Sequence, residues 1–329
     1  MMKTKLLYVL VSSPEDNYLE MAHISITSAK YYMPDCHVVL LVDDQTDRLM
    51  DDNRRKILKN VDEYIVVPLE NNVSAHVRSR LIKCGARQYV KGDFLYIDTD
   101  TIIVKPLYEI DQVEASIAAV RDSHLDFSDS SNKYFFQFYV DQCKVIGYTV
   151  EDDADLFNCG LFYVKDDDIA YRFYEMWLDE WKKGNDKGMP KDQPSAMKVN
   201  SQMGYVIQKL DDRWNVQIIR GIRYMKDAKI CHYLVSDYNN ITNPYILNSA
   251  SAFSSLKEDL DNVNSDFYMK LIKDPFTGIG ELTMLISGEE IFFRKTRLYT
   301  VLRYWYYHKR SRYKRIQSIM TALFDITRL

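Results

Sequence analysis

The sequence predicts an α/β protein with a mostly parallel sheet flanked by helices and a C-terminal helical extension. Two observations lead there. Over the first hundred residues, short apolar runs alternate with segments of helical spacing, as in successive βαβ units. One of those runs, Phe94-Leu95-Tyr96-Ile97, ends at Asp98-Thr99-Asp100, so two carboxylates fall where a buried strand meets solvent. A sheet of this kind is covered on both faces and its crossovers are right-handed.

The elements follow in order. Lys5–Ser12 reads as the first strand and Tyr18–Tyr32 as a helix, with Met21, Ile24, Ile26 and Ala29 among polar residues. Val38–Val42 is a second strand, closed by the acidic turn Asp43-Asp44. Asp47–Lys59 reads as a helix, and Glu63–Val67 as a third strand stopped by Pro68. Val77–Tyr89 is a helix leading into the strand that ends at Asp98. Beyond Pro106 the pattern loosens. Ala115–Val120 and Phe157–Val164 read as strands, and Ala170–Trp181 as a helix with Tyr174, Trp177 and Trp181 at helical spacing. Gly184–Pro194 is a polar loop suited to wall or cover a site. Val216–Arg220 and Ile230–Leu234 are late strands, Ser255–Ile272 is helical, and from Glu290 onward a long helix or a pair of helices is expected. The division is residues 1–250 as the catalytic domain and 251–329 as the helical extension.

Composition narrows the class. The chain has 329 residues, 47% hydrophobic and 27% charged, enough for a large core. The five cysteines form no C-x-x-C pair and sit mostly in apolar runs, which suits buried thiols in a cytoplasmic protein better than a disulfide framework. Leu6–Val11 is too short for a signal core, and no apolar stretch approaches a membrane-spanning length. The net charge is -4, yet residues 291–329 hold ten Lys/Arg and one acid, a local +9 that leaves about -13 for the remainder. In that tail Phe292, Phe293, Leu298, Leu302, Trp305, Ile316, Met320 and Leu323 form an apolar stripe beside Lys309, Arg310, Arg312, Lys314 and Arg315. This composition suits peripheral attachment to an anionic membrane surface on its cytoplasmic face, or a helix packed on the domain with a solvated basic side. Nothing points to nucleic acid.

Asp98-Thr99-Asp100 supplies hard oxygen ligands for Mn²⁺ or Mg²⁺, an ion that can bridge diphosphate oxygens; the alternative is an acidic loop that only caps the strand. In open α/β sheets ligands bind beyond the carboxyl ends of the strands. Four further sites fit a nucleotide-sugar pocket. Ser12, Asp16, Asn17 and Tyr18 lie in the loop after the first strand and can offer hydroxyls, an acid and a stacking face; the alternative is a turn with Asp16 or Asn17 capping the next helix. Arg80, Lys83 and Arg87 share one helical face; Arg80 and Lys83 can hold a diphosphate or belong to a solvated basic face paired with acids, and Arg78 and Arg87 read as that solvated face. Asn158 and Gly160 interrupt an apolar strand, which marks a bulge or a close approach of a ligand. Asp192 and Gln193 can bond sugar hydroxyls, face the reacting carbon, or cap a helix. His232, at a late strand end, is a third candidate metal ligand beside Asp98 and Asp100; His23, His37, His76, His124 and His308 read as structural. Signatures of P-loop enzymes, nicotinamide dehydrogenases and serine hydrolases are absent.

Taken in order, Asp16-Asn17-Tyr18, Arg80, Asp98-Thr99-Asp100, Asn158-x-Gly160, Asp192-Gln193 and His232 resemble the GT-A glycosyltransferases, most closely the family 8 type, over residues 5 to 235. The resemblance implies a Rossmann-like GT-A fold and a retaining hexosyltransferase. It implies metal binding by Asp98, Asp100 and His232, with the donor sugar and acceptor lined by Asn158, Gly160, Asp192 and Gln193. The donor would be a UDP-sugar and the acceptor a saccharide or lipid-linked glycan; apart from the resemblance, the signal-free, basic-tailed layout suits surface-polysaccharide synthesis. One departure stands out: the family's H-x-x-G-x-x-K-P-W element is here His232-Tyr233-Leu234-Val235-Ser236-Asp237, without its Gly or Lys-Pro-Trp. The alternatives are a sugar nucleotidyltransferase, which would want a Gly- and Arg-containing loop where Ser12–Tyr18 stands, and a non-catalytic saccharide-binding protein docked on a membrane.

Overall fold

In a computed structural model of the chain, residues 2–69, 73–129, 132–133, 135–233, 250–277 and 293–324 are described. Ten strands form two sheets among them. β1 (Lys5–Leu10), β2 (Val38–Asp43), β3 (Glu63–Val67), β4 (Phe94–Ile97), β6 (Ile117–Arg121), β7 (Phe157–Val164) and β8 (Ile207–Lys209) make the main sheet, in the order β3-β2-β1-β4-β7-β6-β8. All run parallel except β7, which is antiparallel to both β4 and β6. The expected mostly parallel α/β sheet is therefore present. Leu6–Leu10, Val38–Asp43 and Phe94–Ile97 are buried throughout, as strands covered on both faces must be. A second sheet, β5 (Thr101–Ile103), β10 (Ile230–His232) and β9 (Val216–Gln217), pairs β10 antiparallel to β5 and parallel to β9.

The Tyr18–Tyr32 helix joins the two sheets. Leu19 through Ala29 are all buried, so it is enclosed rather than amphipathic. Its hydroxyls satisfy the enclosure: Ser25 Oγ lies 3.1 Å from the Tyr8 hydroxyl on β1 and 2.8 Å from Thr101 Oγ1 on β5. Ser28 Oγ accepts the Ile103 N–H at 2.9 Å.

Several expected elements are shorter or broken, each for a local reason. Asp47–Lys59 is not one helix. Asp43 caps Asp44–Arg48, then Asp51 Oδ1 accepts the Arg54 N–H and opens a separate 3₁₀ turn, Arg54–Asn60. Side-chain acceptors here outcompete the continuing helix. Ser255–Ile272 is three pieces, Ser254–Glu258, Leu260–Asn264 and Asp266–Lys273, with Asp259 capping the second. The strand expected over Val216–Arg220 stops at Gln217, whose N–H is taken by His124 Nε2 at 2.9 Å. The polar loop expected over Gly184–Pro194 shrinks at both ends. The Asp168–Asp186 helix runs through Gly184, and a new helix, Asp192–Gln202, begins at Asp192. Gly188, at φ 81°, turns the chain between them.

The described residues of Met1–Leu125 and Leu156–Thr283 form one compact unit; those of Asp126–Asp155 and Met284–Leu329 form another. The helices from Ser254 to Lys273 thus belong to the larger unit, beyond the boundary placed at residue 250 by the sequence. In the smaller unit the tail folds as two helices, Arg297–His308 and Arg310–Phe324, parted at Lys309. Phe138 stacks on His308 with centroids 4.2 Å apart, and the Arg303 guanidinium lies 5.2 Å from the Phe135 ring. All five cysteines are buried and free.

The Asp168–Asp186 helix packs an aromatic layer on the sheet: Trp177 lies 5.5 Å from Phe162 of β7 and 5.4 Å from Tyr174. Trp177 Nε1 also donates to the Asp192 carbonyl at 3.0 Å, so this layer fixes where the next helix begins. Trp177→Ala should cost about 3–5 kcal/mol of unfolding free energy, read by urea denaturation. A loss below about 1 kcal/mol would show that the layer is not part of the cooperative core.

Candidate functional site

The reversed strand builds the site. Because β7 runs against β4, its first residues lie beside the last residues of β4, in the register Ile97↔Leu161. Asp98 donates its N–H to the Gly160 carbonyl at 2.8 Å. Gly160 is required by this approach. A Cβ there would stand 2.3 Å from His232 Cε1, 2.8 Å from Asp98 Oδ2 and 2.9 Å from Asn158 Oδ1. β6, parallel to β4, delivers Asp122 to the same edge, where Asn158 Nδ2 lies 3.4 Å from Asp122 Oδ1.

The second sheet supplies the histidine. β5 pairs with β10 so that Thr101 faces His232, and Tyr233 N–H donates to the Asp100 carbonyl at 2.9 Å. His232 Nε2 is thereby 3.1 Å from Asp100 Oδ1 and 4.0 Å from Asp98 Oδ2. Ligand atoms of Asp98, Asp100 and His232 all lie within 4.8 Å of one another. Burial opposes a charge on the His232 ring, but the carboxylates of Asp100 and Asp98 outweigh it and raise its pKa. The donor set, two carboxylates and an imidazole around a space that only a glycine leaves open, fits a divalent cation.

The cations come from the Ala75–Cys84 helix, whose first turn is capped by Ser74. Lys83 Nζ is 2.9 Å from Asp192 Oδ2 and 3.3 Å from Asp98 Oδ1, and Arg80 Nε is 3.3 Å from Asp192 Oδ1. Lys83 and Asp192 are both buried. Burial alone would raise the Asp192 pKa; Arg80 and Lys83 reverse this and hold it well below the usual carboxylate range. Burial disfavours the Lys83 ammonium, and Asp192 with Asp98 restores it, raising its pKa. The ionised form of Asp192 is thus favoured, which makes it a weak base. It is the first residue of its helix and caps nothing, since the cap position is Lys191. Tyr96 donates its hydroxyl to Asp98 Oδ1.

A cleft of about 660 Å³ is lined by Asp16, Tyr18, Arg80, Lys83, Asp98, Thr99, Asp100, Asn158, Gly160, Asp192, Gln193 and His232, so the structure brings these expected residues together. Ser12 and Asn17 are not among its lining residues. Ser12 is buried beneath the loop, accepting from Arg54 Nη2 at 2.8 Å and donating to Asp16 Oδ1 at 2.6 Å. Asp16 also accepts from the Ser13 and Tyr18 amides, at 2.7 and 3.0 Å, so it orders its own loop. Asn17 holds the N-cap position of the next helix without a side-chain cap bond. Gln193 Nε2 donates to the Phe157 carbonyl at 2.8 Å, tying the Asp192 helix to β7 next to Asn158. Arg87 does not sit on a solvated face: it is buried, with Nη2 2.5 Å from Asp166 Oδ1. Arg78, 2.5 Å from Asp43, is likewise paired.

Sequence reasoning missed Tyr96, Arg54 and Asn215. Asn215 is fully buried between His232 and Asn158, and no local pattern marks it.

No protein-family model matches the sequence, and no curated protein matches it. Among solved structures the chain is similar to an active-site mutant of LgtC, at 12% identity over 78% of this chain and 95% of that one, TM-score 0.50. It is also similar to the galactosyltransferase LgtC in complex with donor and acceptor sugar analogs, at 15% identity over 78% and 95%, TM-score 0.48. A third likeness is to the apo form of mouse xyloside xylosyltransferase 1, at 14% over 73% and 99%, TM-score 0.46. The fold is the GT-A type found in glycosyltransferases, with its mostly parallel seven-stranded sheet.

Gly160→Ala tests the packing of the site. The added methyl must displace His232 or Asp98, and both are held by neighbours. Any thermal stabilisation by Mn²⁺ should disappear, with an unfolding cost of about 1–3 kcal/mol from overpacking. Differential scanning fluorimetry with and without Mn²⁺ checks it; an unchanged Mn²⁺ response would mean that the space beside Gly160 is not used.

Proposed function

We propose that this chain is a metal-dependent glycosyltransferase that moves a sugar from a UDP-linked donor to a saccharide or lipid-linked acceptor in surface-glycan synthesis. The observation that carries the proposal is the meeting of Asp98, Asp100 and His232 with Lys83, Arg80 and Asp192 in one cleft at the carboxyl end of β4. The fold shared with LgtC supports it.

Asp98, Asp100 and His232 would hold Mn²⁺ or Mg²⁺, which when bound supplies Lewis-acid neutralisation of a diphosphate leaving group. Lys83 and Arg80 add fixed positive charge beside it and keep Asp192 ionised. Asp192 then offers acceptor oxygens to donor-sugar hydroxyls, and Gln193 fixes the helix that carries it. The course proposed is retaining. An Asp192 held as a carboxylate by Arg80 and Lys83 is consistent with a reaction in which the departing phosphate oxygen accepts the acceptor's proton. Tyr18, on the cleft wall, supplies a stacking face for the base.

Asp98→Ala and Asp100→Ala should each lower transfer about 100-fold or more and remove metal-dependent UDP binding in calorimetry, with little change in melting temperature. Excess EDTA should act on the wild type in the same way. Full turnover in either variant, or in EDTA, would sink the mechanism.

The tail is proposed to hold the enzyme on an anionic membrane surface at the cytoplasmic face. Leu298 is 58% exposed, Ile319 56% and Met320 44%, beside exposed Lys309, Arg310, Arg312, Lys314 and Arg315. Phe292 and the Leu323 side chain lie outside what is described. No described helix is long and apolar enough to cross a membrane. Truncation is a poor test, because it would strip Phe135 and Phe138 of their partners in the smaller unit. Replacing Lys309, Arg312, Lys314 and Arg315 by Gln keeps the helices. Each basic residue near such a surface contributes about 1 kcal/mol, so the fourfold variant should lose sedimentation with phosphatidylglycerol vesicles at low salt while retaining donor hydrolysis. Equal sedimentation of variant and wild type would assign the tail to packing alone.

A further inference from the structure

Asn215 closes the Asp212–Asn215 turn and directly precedes β9. β9 pairs Gln217 with His232. The pairing brings the end of that turn up to His232, and the Asn215 side chain reaches its ring directly. Its two amide atoms are both engaged. Oδ1 lies 3.0 Å from His232 Nδ1, and Nδ2 donates to Asn158 Oδ1 at 3.0 Å.

The orientation of this chain of amides is set from its far end. Asn158 Oδ1 accepts the backbone N–H of Gly160 at 2.9 Å, and a backbone N–H can only donate. The oxygen of Asn158 therefore faces Asn215, which must answer with its NH₂ group. That turns the Asn215 oxygen to His232, and an oxygen facing Nδ1 requires Nδ1 to carry a hydrogen. Nε2 is left as the nitrogen facing Asp100, at 3.1 Å, and Asp98, at 4.0 Å.

We propose that Asn215 is a positioning residue: it fixes the His232 ring with Nδ1–H inward and Nε2 toward the two carboxylates. It also links that ring through Asn158 to the amide of Gly160. One chain of hydrogen bonds thus sets both the histidine of the cation site and the asparagine on the donor side. The inference rests on the reading of Asp98, Asp100 and His232 as a cation site.

The test combines Mn²⁺ titration of the full chain, followed by the electron paramagnetic resonance of free Mn²⁺, with ¹⁵N ring spectra of His232 assigned by His232→Gln. In the wild type a protected Nδ1–H resonance is expected. Asn215→Leu keeps the volume but offers no acceptor. It should weaken Mn²⁺ binding about 10–100-fold and lose that resonance, with thermal melting showing a folded protein. Asn215→Asp keeps an oxygen on Nδ1 but loses the donor to Asn158, so it should retain the Nδ1–H resonance that Asn215→Leu loses. Asn215→Leu binding Mn²⁺ as tightly as the wild type would overturn the role of Asn215 while leaving the cation site standing. A wild-type ring protonated only at Nε2 would overturn it too, and that measurement decides the matter even if Asn215→Leu fails to fold. Wild-type protein that binds no Mn²⁺ would instead sink the cation site, and this inference with it.

Discussion

The close approach of β7 to the end of β4 is the constraint on which the rest depends. Gly160 passes its carbonyl to the Asp98 amide and leaves the space that a methyl would fill against His232, Asp98 and Asn158. A parallel neighbour would bring its own carboxyl end to this edge. The antiparallel one brings its beginning, where Asn158 and Gly160 stand. The reversal of one strand therefore puts an amide and a gap beside two carboxylates. The second sheet adds the histidine through the pairing of β5 with β10.

The charges of the cleft are interdependent. Lys83 and Asp192 are buried, and ions removed from water are tolerated only with partners. Lys83 touches both Asp192 and Asp98, and Arg80 touches Asp192. Asp98 and Asp100 meet beside His232, with Lys83 shared between Asp98 and Asp192. That meeting of two carboxylates is the electrostatic case for a cation. Burial differs as well: Asp192 is held in the cleft wall by its salt bridges, while Asp98 and Asp100 are more open.

Rigidity comes from behind. Trp177 and Trp181 donate to the Asp192 and Pro190 carbonyls, so the aromatic layer on the sheet holds the wall that carries Asp192 and Gln193. On the opposite side the Tyr18–Tyr32 helix ties β1 to β5 through Ser25 and Ser28. The loop before that helix is braced by Arg54 through Ser12 and Asp16. The cleft is thus a preorganised surface rather than a set of loops.

The sequence by itself determined the early βαβ alternation, because hydrophobic period and strand length are local properties, and it placed Asp98 and Asp100 at a strand end for the same reason. It also singled out Asn158 and Gly160, since a glycine breaking an apolar strand is visible without the fold. It did not reveal that Asp51 would split a helix, because a short carboxylate competing for a backbone amide leaves no periodic trace. Nor could it show that Arg87 is buried while Arg80 and Lys83 reach the cleft, although all three share a helical spacing: what lies across from each is decided by other elements. Ser12 and Asn17 went the same way, one turned under its loop and the other left at a helix end. Asn215 is the clearest case. Its sequence neighbourhood is an ordinary turn. Only the pairing of β9 with β10, and of β7 with β4, brings it between His232 and Asn158, because hydrogen bonds between residues 17 and 57 positions apart exist only once both sheets have formed.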